Sequence, residues 1–157
     1  MIEKIVSGGQ TGVDRAALDV AIRRGIPHGG YCPKGRRSDS GRISDKYNLI
    51  ETSSGDYPQR TAANVQHSDG TLIITRGAPI GGTKRTIHYC RDGKKPRFVV
   101  DLRRKLKVQE FVAWISENEI RVLNVAGPRE SGQPGIGKAA QGALDALFAA
   151  LLGPFFG

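Results

Sequence analysis

In Ile5-Val6-Ser7-Gly8-Gly9-Gln10-Thr11-Gly12-Val13-Asp14-Arg15, a short apolar run stops at two glycines and a helical pattern opens three residues later. The glycines let the backbone turn tightly and let another group approach its N–H donors. The helix that follows aims its unpaired N–H groups and its partial positive charge at the same place. Such a turn suits an anion. The pattern predicts Thr11 as helix cap, with Asp14 answering it as in a capping box. Its spacing is not G-x-G-x-x-G, so it carries no dinucleotide fingerprint. One glycine-rich turn can equally be a plain passage from strand to helix, but here the pattern recurs.

Outward from this stretch, strand and helix alternate. Helix one is expected over about Gly12 to Arg24, with Ala17, Leu18, Ala21 and Ile22 as its buried stripe and Gly25 ending it. A short strand is expected near Gly29 to Cys32. A long polar excursion then runs from Pro33 to Gly55, with a minor strand inside Tyr47 to Thr52. A segment of that length is usually functional or mobile, and it could fold over whatever the first loop holds. Asp56 or a neighbour should cap helix two, which places Arg60 and Asn64 on one face. Thr71 to Thr75 reads as a buried strand, followed by a second glycine-rich loop, Arg76 to Thr83, and by helix three to about Arg91. Arg97 to Asp101, with three consecutive apolar residues, is the next strand, and helix four spans about Val108 to Asn118. The strand Arg121 to Ala126 ends in a third glycine-rich loop, Gly127 to Gly137, which opens a last helix reaching Leu152.

Short apolar strands alternating with helices signify a parallel sheet covered on both faces. The expected fold is therefore α/β, a Rossmann-like three-layer α/β/α domain over residues 1–157 with a mainly parallel sheet of about five to seven strands. Right-handed crossovers put all three glycine loops at the carboxyl edge, where open α/β sheets bind ligands.

A chain of 157 residues has room for one core. It holds no apolar run long enough to span a membrane. The chain enters its first strand at once, so no signal peptide is expected. Two cysteines make neither a disulfide framework nor a zinc site, and the three histidines lack metal-ligand spacing. A cytoplasmic location and no directly protein-ligated metal are the expectations. Of the net charge of +9, residues 84–107 carry +8. That block is split between the two ends of one strand, Arg91, Lys94 and Lys95 before it and Arg103, Arg104 and Lys105 after it. A continuous nucleic-acid track is therefore not expected.

The last helix has one face of large apolar residues and a second of Ala139, Ala143, Ala146 and Ala150. Two apolar faces need two surfaces, so a homo-oligomer, dimer or tetramer, is expected. Phe155 and Phe156 in the tail point the same way.

The expected ligand-binding set is Gly8, Gly9, Gln10, Thr11, Asp14, Arg15, Lys34, Arg60, Asn64, Gly81, Gly82, Thr83, Arg129 and Glu130. Backbone N–H groups at Gly8, Gly9, Gly82 and Thr83 would take phosphate oxygens, and Arg60 or Arg129 could clamp them. Asp14 is either a cap and dipole partner or the acceptor for a donor on the ligand. Glu130 is an exposed loop carboxylate, an acceptor for an amino group, or a base.

Six motifs carry a resemblance over Ile5 to about Gly137. They are Ser7-Gly8-Gly9-Gln10-Thr11-Gly12-Val13-Asp14-Arg15, Gly30-Tyr31-Cys32-Pro33-Lys34-Gly35-Arg36, Arg60-Thr61-x-x-Asn64-Val65, Ser68-Asp69-Gly70-Thr71, Gly81-Gly82-Thr83 and Asn124-Val125-Ala126-Gly127-Pro128-Arg129-Glu130-Ser131. In this order they resemble the molybdenum-carrier family, within the Rossmann-like SLOG superfamily that includes the lysine-decarboxylase-like phosphoribohydrolases. The resemblance implies a cytoplasmic, oligomeric protein that binds a phosphorylated small molecule, nucleotide-like or the molybdenum cofactor as cargo. The phosphoribohydrolases carry P-G-G-x-G-T-x-x-E with a catalytic glutamate. Here the loop is shorter and Thr86 falls at that position. Threonine cannot do acid–base work at neutral pH, so the expectation leans away from an enzyme. The alternative is a nucleotide or nucleoside-monophosphate hydrolase acting through Glu130 or Asp14.

Overall fold

A computed structural model describes residues 1–153; the tail aromatics Phe155 and Phe156 lie outside them. The chain runs β1 (Lys4–Val6), α1 (Val13–Arg24), β2 (His28–Gly29), β3 (Tyr31–Cys32), β4 (Arg37–Ser38), β5 (Gly41–Arg42) and β6 (Ile50–Glu51). It continues α2 (Tyr57–Gln66), β7 (Gly70–Thr75), α3 (Gly81–Asp92), β8 (Arg97–Asp101), α4 (Val108–Glu117), β9 (Val122–Ala126) and α5 (Ile136–Leu152). Five strands form the central sheet in the order β2-β1-β9-β7-β8, every neighbouring pair parallel.

Counted with β9 first, that order becomes 3-2-1-4-5, the half-sheet of the dinucleotide-binding folds. The strand and helix that open such a domain here close it. The connection from β9 to α5, which carries the third glycine loop, thus stands where those folds place their phosphate-binding turn. Between β9 and β7 the winding reverses, and there a crevice opens at the carboxyl edge.

Strand alternation sorts the core. Ile5, Leu72, Ile74, Leu123 and Val125 face one side with α1, α4 and α5, whose Val13, Ala17, Phe111, Ile115, Leu144, Leu147 and Phe148 are buried against them. Thr71, Thr75 and Asn124, equally buried, face the other side, where α2 and α3 pack on each other. One side of the sheet is thus an apolar core, and the other mixes buried polar groups with Ile73.

Several expectations are corrected. Ile22 is 44% exposed, because α1 packs on α5 through Ala17 and Ala21 while Arg23 and Arg24 pair with Asp145 beside it. Thr11 does not cap α1. The cap position falls at Gly12, and the Thr11 hydroxyl donates instead to Asp39 Oδ1 at 2.7 Å. Asp56 occupies the cap position of α2 without a side-chain bond. The strand expected over 29–32 is two strands, broken at Gly30, whose φ of 123° turns the chain out of the central sheet. Val99 is 44% exposed because β8 is a sheet edge.

The long excursion is packed. Ile43 and Tyr47 are buried with Leu18 and Cys32. Arg36, only 8% exposed, donates to the carbonyls of Ile43, Ser44 and Tyr47. A buried guanidinium that satisfies three backbone carbonyls replaces the regular structure this segment lacks.

Candidate functional site

A cavity of about 350 Å³ lies at the carboxyl ends of β1, β9 and β7, between α2 and the start of α3. All three glycine loops reach it. Of the expected residues, Gly8, Gln10, Asp14, Arg60, Asn64, Gly81, Gly82, Thr83 and Arg129 line it. Its volume is at the lower end for small-molecule sites, roughly 300–1,000 Å³, which suits one ring system with its phosphate.

At the β7 side, α3 begins with two glycines after Ile80, whose backbone is extended and which makes no side-chain cap. The helix geometry leaves the Gly81 and Gly82 N–H groups without intrahelical acceptors, whereas the Thr83 N–H, expected to take a phosphate oxygen, donates to the Ile80 carbonyl at 3.2 Å. Nothing stands within 4 Å of where a Cβ would sit on Gly81 or Gly82, so their face is open to the cavity. Arg85, on the same helix, and Arg129, from the third loop, line the same space. The result is a helix start without a side-chain cap in a cavity that two arginines also line, a combination that favours a multiply charged anion.

At the β1 side sits a buried pair. Arg60 Nη1 donates to the Gly8 carbonyl at 2.8 Å and lies 3.6 Å from Asp14 Oδ2. Both side chains are about nine-tenths buried. Arg60 Nε has no partner among the described residues. Asp14 accepts a long 3.3 Å bond from the Gln10 N–H, and the Ser7 hydroxyl beside it also favours its charge. Burial pushes its carboxyl up to about 6, against the pull of Arg60 and the Gln10 N–H. Gly8 is required here by space: a Cβ would stand 2.4 Å from Arg60 Nη1 and 2.8 Å from Asp14 Oδ2.

Asn64 lines the cavity but its amide is already engaged. Its Oδ1 accepts from Tyr31 N–H at 2.8 Å and its Nδ2 donates to Tyr31 carbonyl at 3.0 Å, so it pairs with the chain that leaves the central sheet. Asn64 therefore holds the wall.

Five expected residues stand outside the cavity lining. Gly9 turns away with φ 78°, and a Cβ there would meet Leu49 and Ile43 of the excursion. The Thr11 hydroxyl is held by Asp39 and accepts from Glu130 N–H at 3.2 Å. Arg15 spans from the Gly9 carbonyl at 3.0 Å to Ser38 and Ser40. Lys34 is exposed on the excursion. Glu130 bends onto the start of α5, accepting from the N–H groups of Gly135 and Gly137 (3.0 Å for the latter). Those donors hold its carboxyl below the ordinary range. A carboxylate bound in this way is an anion cap and a poor base. It fills the helix start that dinucleotide-binding folds leave for pyrophosphate.

Asp39, at the tip of the β4–β5 hairpin, ties the loops together. Burial works against its charge, but the Ser131 and Thr11 hydroxyls, at 2.6 and 2.7 Å, win and hold its carboxyl below the usual range. Lining residues outside the expected set include Arg85, Asn124, Thr75 and Gln133. Asn124 had a visible signal, as the lone amide in an otherwise apolar strand. Gln133 had none. Thr86, where the phosphoribohydrolases carry glutamate, lines the cavity and donates to the Gly82 carbonyl at 3.0 Å. Among the described residues no cluster of three or more His, Cys, Asp or Glu could hold a metal ion, and no helix is long and apolar enough to cross a membrane.

Comparison with known proteins agrees with this fold. No curated protein matches. The crystal structure of a protein from Syntrophus aciditrophicus, named a putative molybdenum carrier protein, superposes with a TM-score of 0.90 at 44% identity, covering 94% of this chain and 96% of that one. The model of the circularly permutated YpsA SLOG family matches residues 5–148, and a permuted order is what the strands display. The chain belongs to that SLOG family.

Proposed function

We propose that the protein binds and carries a small, phosphate-bearing, ring-containing molecule in the cavity at the carboxyl edge of the sheet. The observation that carries this reading is the uncapped start of α3, Gly81–Gly82, opening into that cavity beside Arg85 and Arg129. The name borne by the Syntrophus aciditrophicus protein makes the molybdenum cofactor the first cargo to test, with a nucleotide-like molecule as the other. Native mass spectrometry of gently purified protein should detect a bound mass, and metal analysis should find molybdenum in it if the cofactor is the cargo. Calorimetry with a nucleoside monophosphate should give an affinity that Arg129→Ala lowers by about tenfold or more, as loss of a charge-assisted clamp would. Equal affinity in the two proteins would refute the phosphate reading.

The hydrolase reading keeps one observation in its favour: Asp14, with its carboxyl near 6, is poised for proton transfer. Release of free base or ribose phosphate from a nucleotide panel, abolished by Asp14→Asn, would establish it. We propose self-association through the outer face of α5, where Ala146 and Ala150 are exposed; the same mass spectra report the subunit count.

A further inference from the structure

Asp14 and Asn124 are both buried, both line the cavity, and both have acceptor atoms short of donors. The Asn124 side chain is 2% exposed, and its Nδ2 donates to Thr71 Oγ1 at 3.2 Å. Among the described residues no donor is assigned to its Oδ1. Asp14 is 7% exposed. A buried carboxylate can accept about four hydrogen bonds, yet this one has a single long bond from Gln10 N–H and an arginine at 3.6 Å. The Ser7 hydroxyl also faces Asp14, but its single proton is engaged by the Val125 carbonyl at 2.7 Å. Asn124 lies on β9, which pairs with β1 through Val6, and Asp14 stands in the first turn of α1, the helix that follows β1.

Sheet order fixes where this acceptor edge lies relative to the anion site. The connection after β1 carries Asp14, and α3 follows β7, with β9 between the two strands. The strands that lead into these two helices, β1 and β7, stand two strand spacings apart, about 10 Å. That is within the reach of a single nucleotide from phosphate to ring edge. The cavity therefore offers acceptors at one end and donors with positive charge at the other. A ligand filling it needs N–H donors on its ring and a phosphate at the far end.

Building on the proposed function, we infer that Asp14 and Asn124 read the ring of the phosphorylated ligand, and that this ring is of the 2-amino-4-oxopyrimidine type shared by guanine and the pterins. Such a ring presents a ring N–H and an exocyclic amino group side by side, a match for one carboxylate, with a further donor position for the Asn124 oxygen. An adenine ring puts a bare acceptor nitrogen against the carboxylate instead. Sites built to receive N–H donors reject ligands that lack them, because the buried acceptors stay unpaired.

The test is calorimetry on the full chain with GMP, IMP, AMP and a phosphorylated pterin. GMP is expected to bind about tenfold or more tightly than AMP, the discrimination of one good bidentate pair, with IMP between them because it lacks the amino group. Asp14→Asn should bring the GMP-to-AMP ratio close to one, its fold checked by circular dichroism. The wild-type ratio needs no variant, so a misfolded Asp14→Asn leaves the test intact. The pterin arm separates the two sources of the ring: tighter binding than GMP assigns a pterin, weaker binding a guanine nucleotide. Equal binding of GMP and AMP would overturn the ring assignment while leaving the phosphate reading in place. No binding by any of the four would overturn both.

Discussion

Asp14→Asn should stabilise the ligand-free protein at neutral pH. The carboxyl is raised from 3.8 to about 6, chiefly by burial, with Arg60 and the Gln10 N–H pulling the other way. Between those two values the folded protein holds a proton that the unfolded chain has released, so stability falls as pH rises through that window. Below it both states are protonated and the site costs nothing. Above it the penalty is complete, about 3 kcal/mol at 1.36 kcal/mol per pH unit. Asparagine has the shape of the protonated acid and bears no charge at any pH. Urea unfolding of variant and wild type should therefore give similar stabilities near pH 4 and a gap approaching 3 kcal/mol near pH 7.5. The comparison must be a difference between the two proteins, because Asp39 and Glu130, with carboxyls held low, lose stability as pH falls and tilt both curves the other way. A gap that does not change with pH, or a variant less stable at neutral pH, would refute the account of Asp14 as a carboxylate buried at a cost to the fold.

Gly9→Val forces a β-branched residue to φ 78° and drives its Cβ to 2.7 Å from Leu49 Cδ1; it should destabilise by roughly 2 kcal/mol or more in urea unfolding, reporting on the excursion and not on the ligand. Gly8→Ala should keep the fold by circular dichroism but weaken GMP binding about tenfold or more, since its Cβ displaces the Arg60–Asp14 pair. Glu130→Gln should cost about 1 kcal/mol of stability through the start of α5 and leave nucleotide affinity in calorimetry unchanged; a large loss of affinity would return Glu130 to the site. The ratio of GMP to AMP affinity should fall as pH drops below about 6, where Asp14 takes up its proton; taking the ratio cancels titration of the phosphate itself.

The architecture was readable in the sequence wherever one physical rule decided it. Buried parallel strands are rich in consecutive apolar residues, as Leu72–Ile74 and, around Asn124, Val122–Ala126 are; glycine closes helices in the left-handed conformation, and Gly25 does so with φ 68°. The convergence of three glycine loops on one edge follows from crossover handedness, and the cavity lies there. Side-chain direction at the tips of those loops was not readable. Gly8 and Gly9 are neighbours of one type, yet one presses on the Arg60–Asp14 pair and the other on Leu49 and Ile43. What separates them is a segment some forty residues downstream, whose packing carries no periodic signature. The same holds for Thr11, whose partners Asp39 and Glu130 are distant in sequence.

Strand order and the fate of Glu130 together explain why the proposed anion site is on α3 and not on α5. With β9 in the first-strand position, α5 is the helix that would ordinarily receive a phosphate. Its leading N–H groups instead face a carboxylate from its own loop, at Gly135 and Gly137. A helix start that is already neutralised attracts little further negative charge. On the other side of the reversal point, α3 has no such internal anion: Ile80 gives it no cap, and its first turn carries no acidic residue. The field at the carboxyl edge is therefore displaced from α5 toward α3, with Arg129 and Arg85 adding to it. The third loop keeps its glycines in this arrangement for a different reason. Its backbone delivers Glu130 to the start of α5 and Arg129 to the cavity beside α3, so a single loop neutralises one helix start and adds positive charge beside the other.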